Sequence, residues 1–354
     1  MDIYTFSKRV ALAAFLVLLI GAGFYLLGNN LYFFLLVFAG ILLSVLFCGM
    51  TDWITNKMHI KRGISLTLSV LFFFGILVGA FILLAPTVNE QVQEMKQTIP
   101  QSLNQVEEWL SDREWGEKVI NQIPDDVSTA VPEGGDIASK VGGVFSSTIS
   151  FLADLAIVII TALFFASSPK LYTEGFAKLF PKRKRYRVLE VLDKCYKTLK
   201  LWLVGMLSAM AVIGVSTAIG YSLIGLPMAL ALGFIAFLLA FVPNIGPWLA
   251  GIPAVLVGLT EGSQVALYVI LVYGGIQLIE SYVITPIIFQ KTVDLPPALL
   301  LFVQVLFGIL QGGLGLLMAA PLLAVVMVLV NELYIKDVLE KPTDQEAAAA
   351  TSRG

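Results

Sequence analysis

Histidine is nearly missing from this sequence. The single copy, His59, excludes an HExxH motif and any multi-histidine metal centre. The two cysteines, Cys48 and Cys195, lie far apart and make no disulfide framework. No GxxxxGK[ST] stretch occurs, so direct drive by ATP has no support. With no GxGD stretch and no Ser-His or Cys-His pair, a membrane enzyme is not the expected class, and no cofactor is called for. Charge is scarce as well: 14% of residues, where a soluble domain carries roughly a quarter.

Apolar residues fill the space, 58% of the 354, in long runs along the whole chain. The chain therefore reads as an all-α polytopic membrane protein, with about eight membrane segments. Spans are expected at about 10–28, 31–48, 63–85, 149–166 and 201–224. The first stretch, SKRVALAAFLVLLIGAG, resembles a signal peptide, with Lys8 and Arg9 ahead of an apolar core. It is read as a retained span, because no small-x-small cleavage site precedes a soluble region and a second apolar run begins at Leu31.

Charge sets the orientation. The connection after the second span carries Lys57, Lys61 and Arg62, which places it and the N-terminus in the cytoplasm. The connection 86–147 holds four basic and eleven acidic residues, net −7, and is expected outside. The connection 167–200 holds ten basic and three acidic residues, net +7, and is expected inside. Its PKRKRYR run (181–187) is read as a positive-inside anchor at anionic lipid headgroups rather than as a nucleic-acid site.

Five regions follow. They are a three-span N-terminal region (1–85), an acidic extracytoplasmic helical insert (86–148), a fourth span with a basic cytoplasmic helix (149–200), an inverted-repeat transport region (201–335) and a cytoplasmic tail (336–354). In the insert, Val88, Val92, Met95, Ile99, Leu103, Val106 and Leu110 form one helical stripe, with a break expected at Pro100. Gly75 and Gly79, four apart in the third span, would let helices approach closely.

The stretch FVPNIGPWLAGIP (241–253) puts three prolines, two glycines and an asparagine inside an apolar region. A related layout recurs 69 residues later: Leu226-Pro227 matches Leu295-Pro296, Gly246 matches Gly315, and Pro253 meets Pro321 after a one-residue slip. Each unit is one span followed by an interrupted apolar hairpin. The arm 228–242, at about 22 Å, is short for a hydrocarbon core of about 30 Å. Two inverted hairpins are expected, their tips at Pro243–Pro247 and Gln311–Gly315 meeting near the membrane middle. Non-helical backbone survives there only in protein or beside a wet cavity, and matched interrupted segments mark a transporter's binding site. The alternative, two fully crossing hairpins, gives the same charge pattern.

Two carboxylates sit inside apolar spans, Asp154 and Glu280. With no basic residue in either span, each is expected to be protonated, cation-bound or facing water. Gln277, Glu280 and Ser281 share a polar face, and Pro286 frees a carbonyl one turn earlier. Gln304 and Gln311 add amides on the second hairpin.

At Pro243-Asn244-Ile245-Gly246 and the residues around it, the chain resembles the autoinducer-2 exporter (PerM-like) family of bacterial membrane transporters. Glu280 and Pro286 match the family's glutamate and later proline, and Gly312, Gly313, Gly315 and Pro321 match its late glycine-rich segment. The resemblance covers nearly the whole chain and is least close in the insert. It implies an inner-membrane transporter of a small polar solute, elevator-like and homo-oligomeric, a pentamer being the expected form. The candidate site is therefore Pro243, Asn244, Gly246, Pro247, Gln277, Glu280, Ser281, Pro286, Gln311, Gly312, Gly313, Gly315 and Pro321, with Asp154 as a further carboxylate. Coupling to H+ or Na+ would run through Glu280. A cation/proton antiporter using the same residues is the alternative, and a scaffold or channel would need no titratable group.

Overall fold

The computed structural model describes residues 28, 30–76, 78–79, 82, 137–286 and 295–340, with the backbone alone for 137–149. The expected first span and the insert's apolar stripe lie outside these residues. Among the described residues every element is helical. Five helices are long and apolar enough to cross a bilayer.

Helix α1 (Leu31–Met58) ends where His59 takes the left-handed conformation and its N–H bonds the Thr55 carbonyl. That turn sends α2 (Arg62–Ile76) back along α1. Hydroxyls join the pair, Thr55 donating to Ser65 at 2.8 Å and Thr51 to Ser69 at 3.3 Å. Helix α3 (Ile137–Ser167) packs along α1, and Ala162 and Ala166 join Phe47 and Cys48 of α1 and Phe73 of α2 in one apolar cluster. Helix α3 starts inside the expected insert, so the fourth span is part of a longer continuous helix. Gly40 sets the α1–α3 distance, since a Cβ there would lie 2.7 Å from the Thr161 side chain. Among the described residues Gly75 and Gly79 would meet nothing within 4 Å, and the close approach seen there is made by Gly40.

After α4 (Pro169–Ala177) and a 3-10 turn (Lys182–Lys184), α5 (Arg185–Leu223) runs for 39 residues. That is about 58 Å, nearly twice a hydrocarbon core, so its basic first third stands outside the apolar layer. Val191, Cys195, Leu199, Trp202, Met206, Met210, Ile213, Thr217 and Tyr221 recur at threes and fours and form its buried stripe. The core joins this stripe to Leu35, Leu42 and Val45 of α1 and to the later helices.

Helix α6 (Ala229–Leu239) crosses α5 at small residues. A Cβ on Gly233 would stand 2.6 Å from that of Ala218, and one on Gly214 2.6 Å from that of Phe237. The chain then returns as α7 (Gly246–Glu261) and continues into α8 (Ser263–Ile279), whose end widens into a π-helical turn, Glu280–Ile284. Helix α9 (Pro297–Leu329) is interrupted at Gly312 and passes into a second π-helical stretch, Val330–Leu339.

A cluster of ion pairs ties that last stretch to the basic first third of α5. The Glu332 side chain, 5% exposed, accepts from Lys194 at 2.7 Å, Lys336 at 2.7 Å and Arg187 at 2.9 Å. Arg187 also reaches Asp337 and Glu190. By contrast, α3 and α8 present large apolar side chains outward, Phe151, Phe164, Leu271 and Leu278 among them. Exposed faces of this kind fit an acyl-chain surround.

Candidate functional site

Both sequence repeats fold back on themselves, and the matched glycines make the same approach. In the first, Gly246 passes so close to the incoming arm that a Cβ would lie 1.9 Å from the Leu239 carbonyl oxygen. In the second, a Cβ on Gly315 would lie 2.1 Å from the Phe307 carbonyl oxygen. Eight residues of straight helix span about 12 Å, so the second contact exists only because the chain reverses. A left-handed residue makes each reversal: Asn244 at φ 67 and Gly312 at φ 61. Asparagine tolerates this conformation, and Gly312, with ψ −143, occupies a region open only to glycine.

The first tip is Pro243–Pro247. Its backbone closes locally, Gly246 N–H bonding Val242 O at 2.9 Å and Ile245 N–H bonding Pro243 O at 2.8 Å. Two side chains from other elements then hold it. Gln304 of α9, fully buried, donates from Nε2 to Pro243 O at 2.9 Å and accepts from Asn244 Nδ2 at 3.4 Å. Tyr273 of α8 donates its hydroxyl to Pro247 O at 3.0 Å. The first tip thus rests against the middle of the second hairpin's first arm, two turns short of Gln311–Gly315.

Tyr273, Gln277 and Glu280 lie at steps of four and three on α8, one face of the helix. Gln277 Nε2 is buried without a hydrogen-bond partner among the described residues. A buried amide left short of a full hydrogen bond costs about 1–3 kcal/mol; the polar group it lies beside is the Tyr273 hydroxyl, one turn away on the same face. Glu280 opens the π-helical turn. Its two carboxylate oxygens accept from Thr285 at 2.6 Å and Ser281 at 3.1 Å. Pro286 explains the turn: lacking an N–H, it cannot continue the helical ladder, and the backbone widens so that Thr285 N–H reaches the Glu280 carbonyl.

The structure therefore gathers Pro243, Asn244, Gly246 and Pro247 with Gln304 and Tyr273, and through Tyr273 continues toward Gln277, Glu280, Ser281 and Pro286. Gln311, Gly312 and Gly313 form the second tip, Gly312 and Gly313 being exposed. Gly315 and Pro321 are buried in its returning arm. Asp154 stands elsewhere, on α3, where it accepts from the Tyr32 hydroxyl of α1. Tyr273 stands outside the set expected from the sequence, although its spacing from Gln277 and Glu280 signals it. Gln304 was visible as a lone amide in an apolar arm. Among the described residues no group of three His, Cys, Asp or Glu could hold a metal ion.

The model of a family described as AI-2E family transporter matches residues 12–335. Among relatives, YueF of Bacillus subtilis, named as a presumed transport protein, is 26% identical over 307 residues, 83% of this chain and 82% of its own. YrrI of the same organism, named likewise, is 23% identical over 308 residues, 84% of this chain and 85% of its own. TqsA of Escherichia coli, named as an AI-2 transport protein, is 20% identical over 305 residues, 85% of both.

Proposed function

The chain belongs to the AI-2E family of transporters, and from that premise we propose that it exports a small polar solute through the site between its two hairpins. The observation that carries this reading is the first tip. Two helix-breaking prolines sit in an apolar region, and their carbonyls are held by Gln304 and Tyr273 from two other helices. Non-helical backbone held by protein side chains at membrane depth is the setting in which transporters bind their solutes. Asn244, Gln277 and the second tip supply the remaining polar groups.

Glu280 is the coupling carboxylate in this reading, taking a proton or a sodium ion as the hairpins move in an elevator-like shift. A half-buried acid ringed by two hydroxyls suits an exchange of this kind. The protein sits in the bacterial cytoplasmic membrane with both termini inside, as the charge asymmetry favours, and works as a homo-oligomer. Transport, with no catalytic residue, is its role. The name of TqsA makes autoinducer-2 the first solute to try.

The test is autoinducer-2 accumulation in everted vesicles under an imposed proton gradient, wild type against Glu280→Gln. Gradient-dependent accumulation that the variant loses supports export coupled at Glu280. No accumulation by well-inserted wild type removes autoinducer-2 as the solute.

A further inference from the structure

A cavity of about 870 Å³ lies away from the hairpins, between the second half of α1, α2 and the middle of α5. This falls within the range of ligand clefts, roughly 300–1,000 Å³. Leu46, Leu68, Phe72 and Val204 give it apolar walls, while Asp52 and Lys200 bring charge to one end. Those charges are not balanced against each other. Asp52 is taken by Arg62 at 3.1 Å and by the Tyr196 hydroxyl. Lys200 packs its stem beside Gly49 and holds its ammonium 6.0 Å from the Tyr196 ring, with no ion pair among the described residues. Lys57, one turn beyond Trp53 on α1, holds its ammonium 5.0 Å from the Trp53 ring and likewise has no ion pair among them.

Depth orders these features. The wall residues of α1 up to Met50 are apolar, and from Asp52 onward polar ones, Asp52 and Asn56, alternate with Trp53, Ile54 and Met58. Trp53, 64% exposed, marks the level where an amphipathic ring sits between chains and headgroups. Lysines at such a level stretch their stems along apolar surface and put the ammonium among lipid phosphates. The cavity therefore runs from acyl-chain depth to headgroup depth, with Lys200 lining its polar end and Lys57 just beyond it, over the lining Trp53 ring. A zwitterionic headgroup would bring its own cation toward them.

We propose that this cavity is a binding site for an anionic phospholipid, one acyl chain lying along Leu46, Leu68, Phe72 and Val204 and the phosphate facing Lys200 and Lys57. Each lysine near an anionic headgroup contributes about fivefold in affinity, so the pair accounts for roughly twentyfold.

The full chain, reconstituted with equal phosphatidylglycerol and phosphatidylcholine and released for native mass spectrometry, tests this. Wild type is expected to retain phosphatidylglycerol preferentially. The double variant Lys57→Gln with Lys200→Gln is expected to lose that preference by roughly twentyfold, whereas Lys57→Arg with Lys200→Arg keeps it and reports on folding. Val204→Trp, which fills the apolar end, is expected to lose the retained lipid although both lysines remain. Equal retention of the two lipids by wild type overturns the proposal, and that measurement needs no variant. Loss in the double variant without loss in Val204→Trp also overturns it, because the lysines would then be attracting lipid to the open surface. A change of oligomeric state in Val204→Trp with lipid retained overturns it in favour of a second copy of the chain in the cavity.

Discussion

Gln304 and Pro243 are joined by a 2.9 Å hydrogen bond between the two hairpins, 61 residues apart in sequence. The amide is fully buried and its oxygen faces Asn244, so both of its ends serve the same tip. The pair makes the first hairpin's tip depend on the second hairpin's position.

Gln304→Leu removes that donor and leaves the Pro243 carbonyl without its partner. A buried acceptor so exposed costs about 1–3 kcal/mol. The expected outcome is faster hydrogen exchange in the 240–250 region, with the α1–α3 region unchanged, and reduced transport. Unchanged exchange at the tip would show that Gln304 does not hold it.

The matched glycines give a sharper contrast. Gly246→Ala and Gly315→Ala each force a methyl against a backbone carbonyl oxygen, at 1.9 and 2.1 Å. Backbone cannot swing aside as a side chain can, so each should cost about 3 kcal/mol or more. Both variants are expected to yield little monodisperse protein on size-exclusion chromatography. Gly75→Ala, with nothing within 4 Å, should behave as wild type. Normal recovery of both hairpin variants would mean that the reversals are looser than the carbonyl contacts imply.

The Glu332 cluster sets an acid limit. Lys194, then Lys336 and Arg187, hold the Glu332 carboxyl down to about 2, against about 4.3 in an unfolded chain. A depressed carboxyl favours the folded form fully above its unfolded value, and that contribution fades as pH falls toward the folded one. The tie between α5 and the 330–339 stretch should therefore be unaffected from pH 8 to pH 5 and weaken between about pH 4 and pH 2. Limited proteolysis within 330–340 would report it. Glu332→Gln should show at pH 7 the susceptibility that wild type shows only in acid. Equal protection of the two at pH 7 would remove Glu332 as the anchor.

Helical class and the long spans were legible because apolar runs and charge imbalance report on the surrounding solvent, one segment at a time. The reversals were legible from proline, asparagine and glycine, whose backbone preferences are local; the alignment of Gly246 with Gly315 survives as a shared carbonyl approach. What the sequence could not order was the meeting of segments. Gln304 and Tyr273 reach the first tip because α8 and α9 pack beside it, and no periodicity on either helix states that. Tyr32, the partner of Asp154, lies 122 residues away on another helix. The widened turn at Glu280 is intermediate: Pro286 announces a disturbed ladder, but a π-helical turn and a kink are equally open to it.

Asp154 and Glu280 look alike in sequence, single acids in apolar spans, and the structure separates them. Asp154 accepts a hydroxyl from a neighbouring helix, Tyr32 of α1, whereas both oxygens of Glu280 are held by hydroxyls of its own turn. Glu280 also sits on the face that leads through Gln277 to Tyr273 and the first tip. If the carboxylates differ in this way, substitution should divide them. Asp154→Asn keeps a hydrogen-bonding oxygen for Tyr32 and should leave transport within about twofold of wild type, with at most about 1 kcal/mol lost from the α1–α3 contact. Glu280→Gln keeps the size and the hydroxyl contacts but cannot exchange a proton, so transport should fall by at least about tenfold, about 1.4 kcal/mol in barrier terms, and lose its dependence on the imposed gradient. Parallel uptake assays on the two variants check this. Equal loss in both would make Asp154 part of the pathway, and equal retention would make Glu280 a structural acid that closes its own turn.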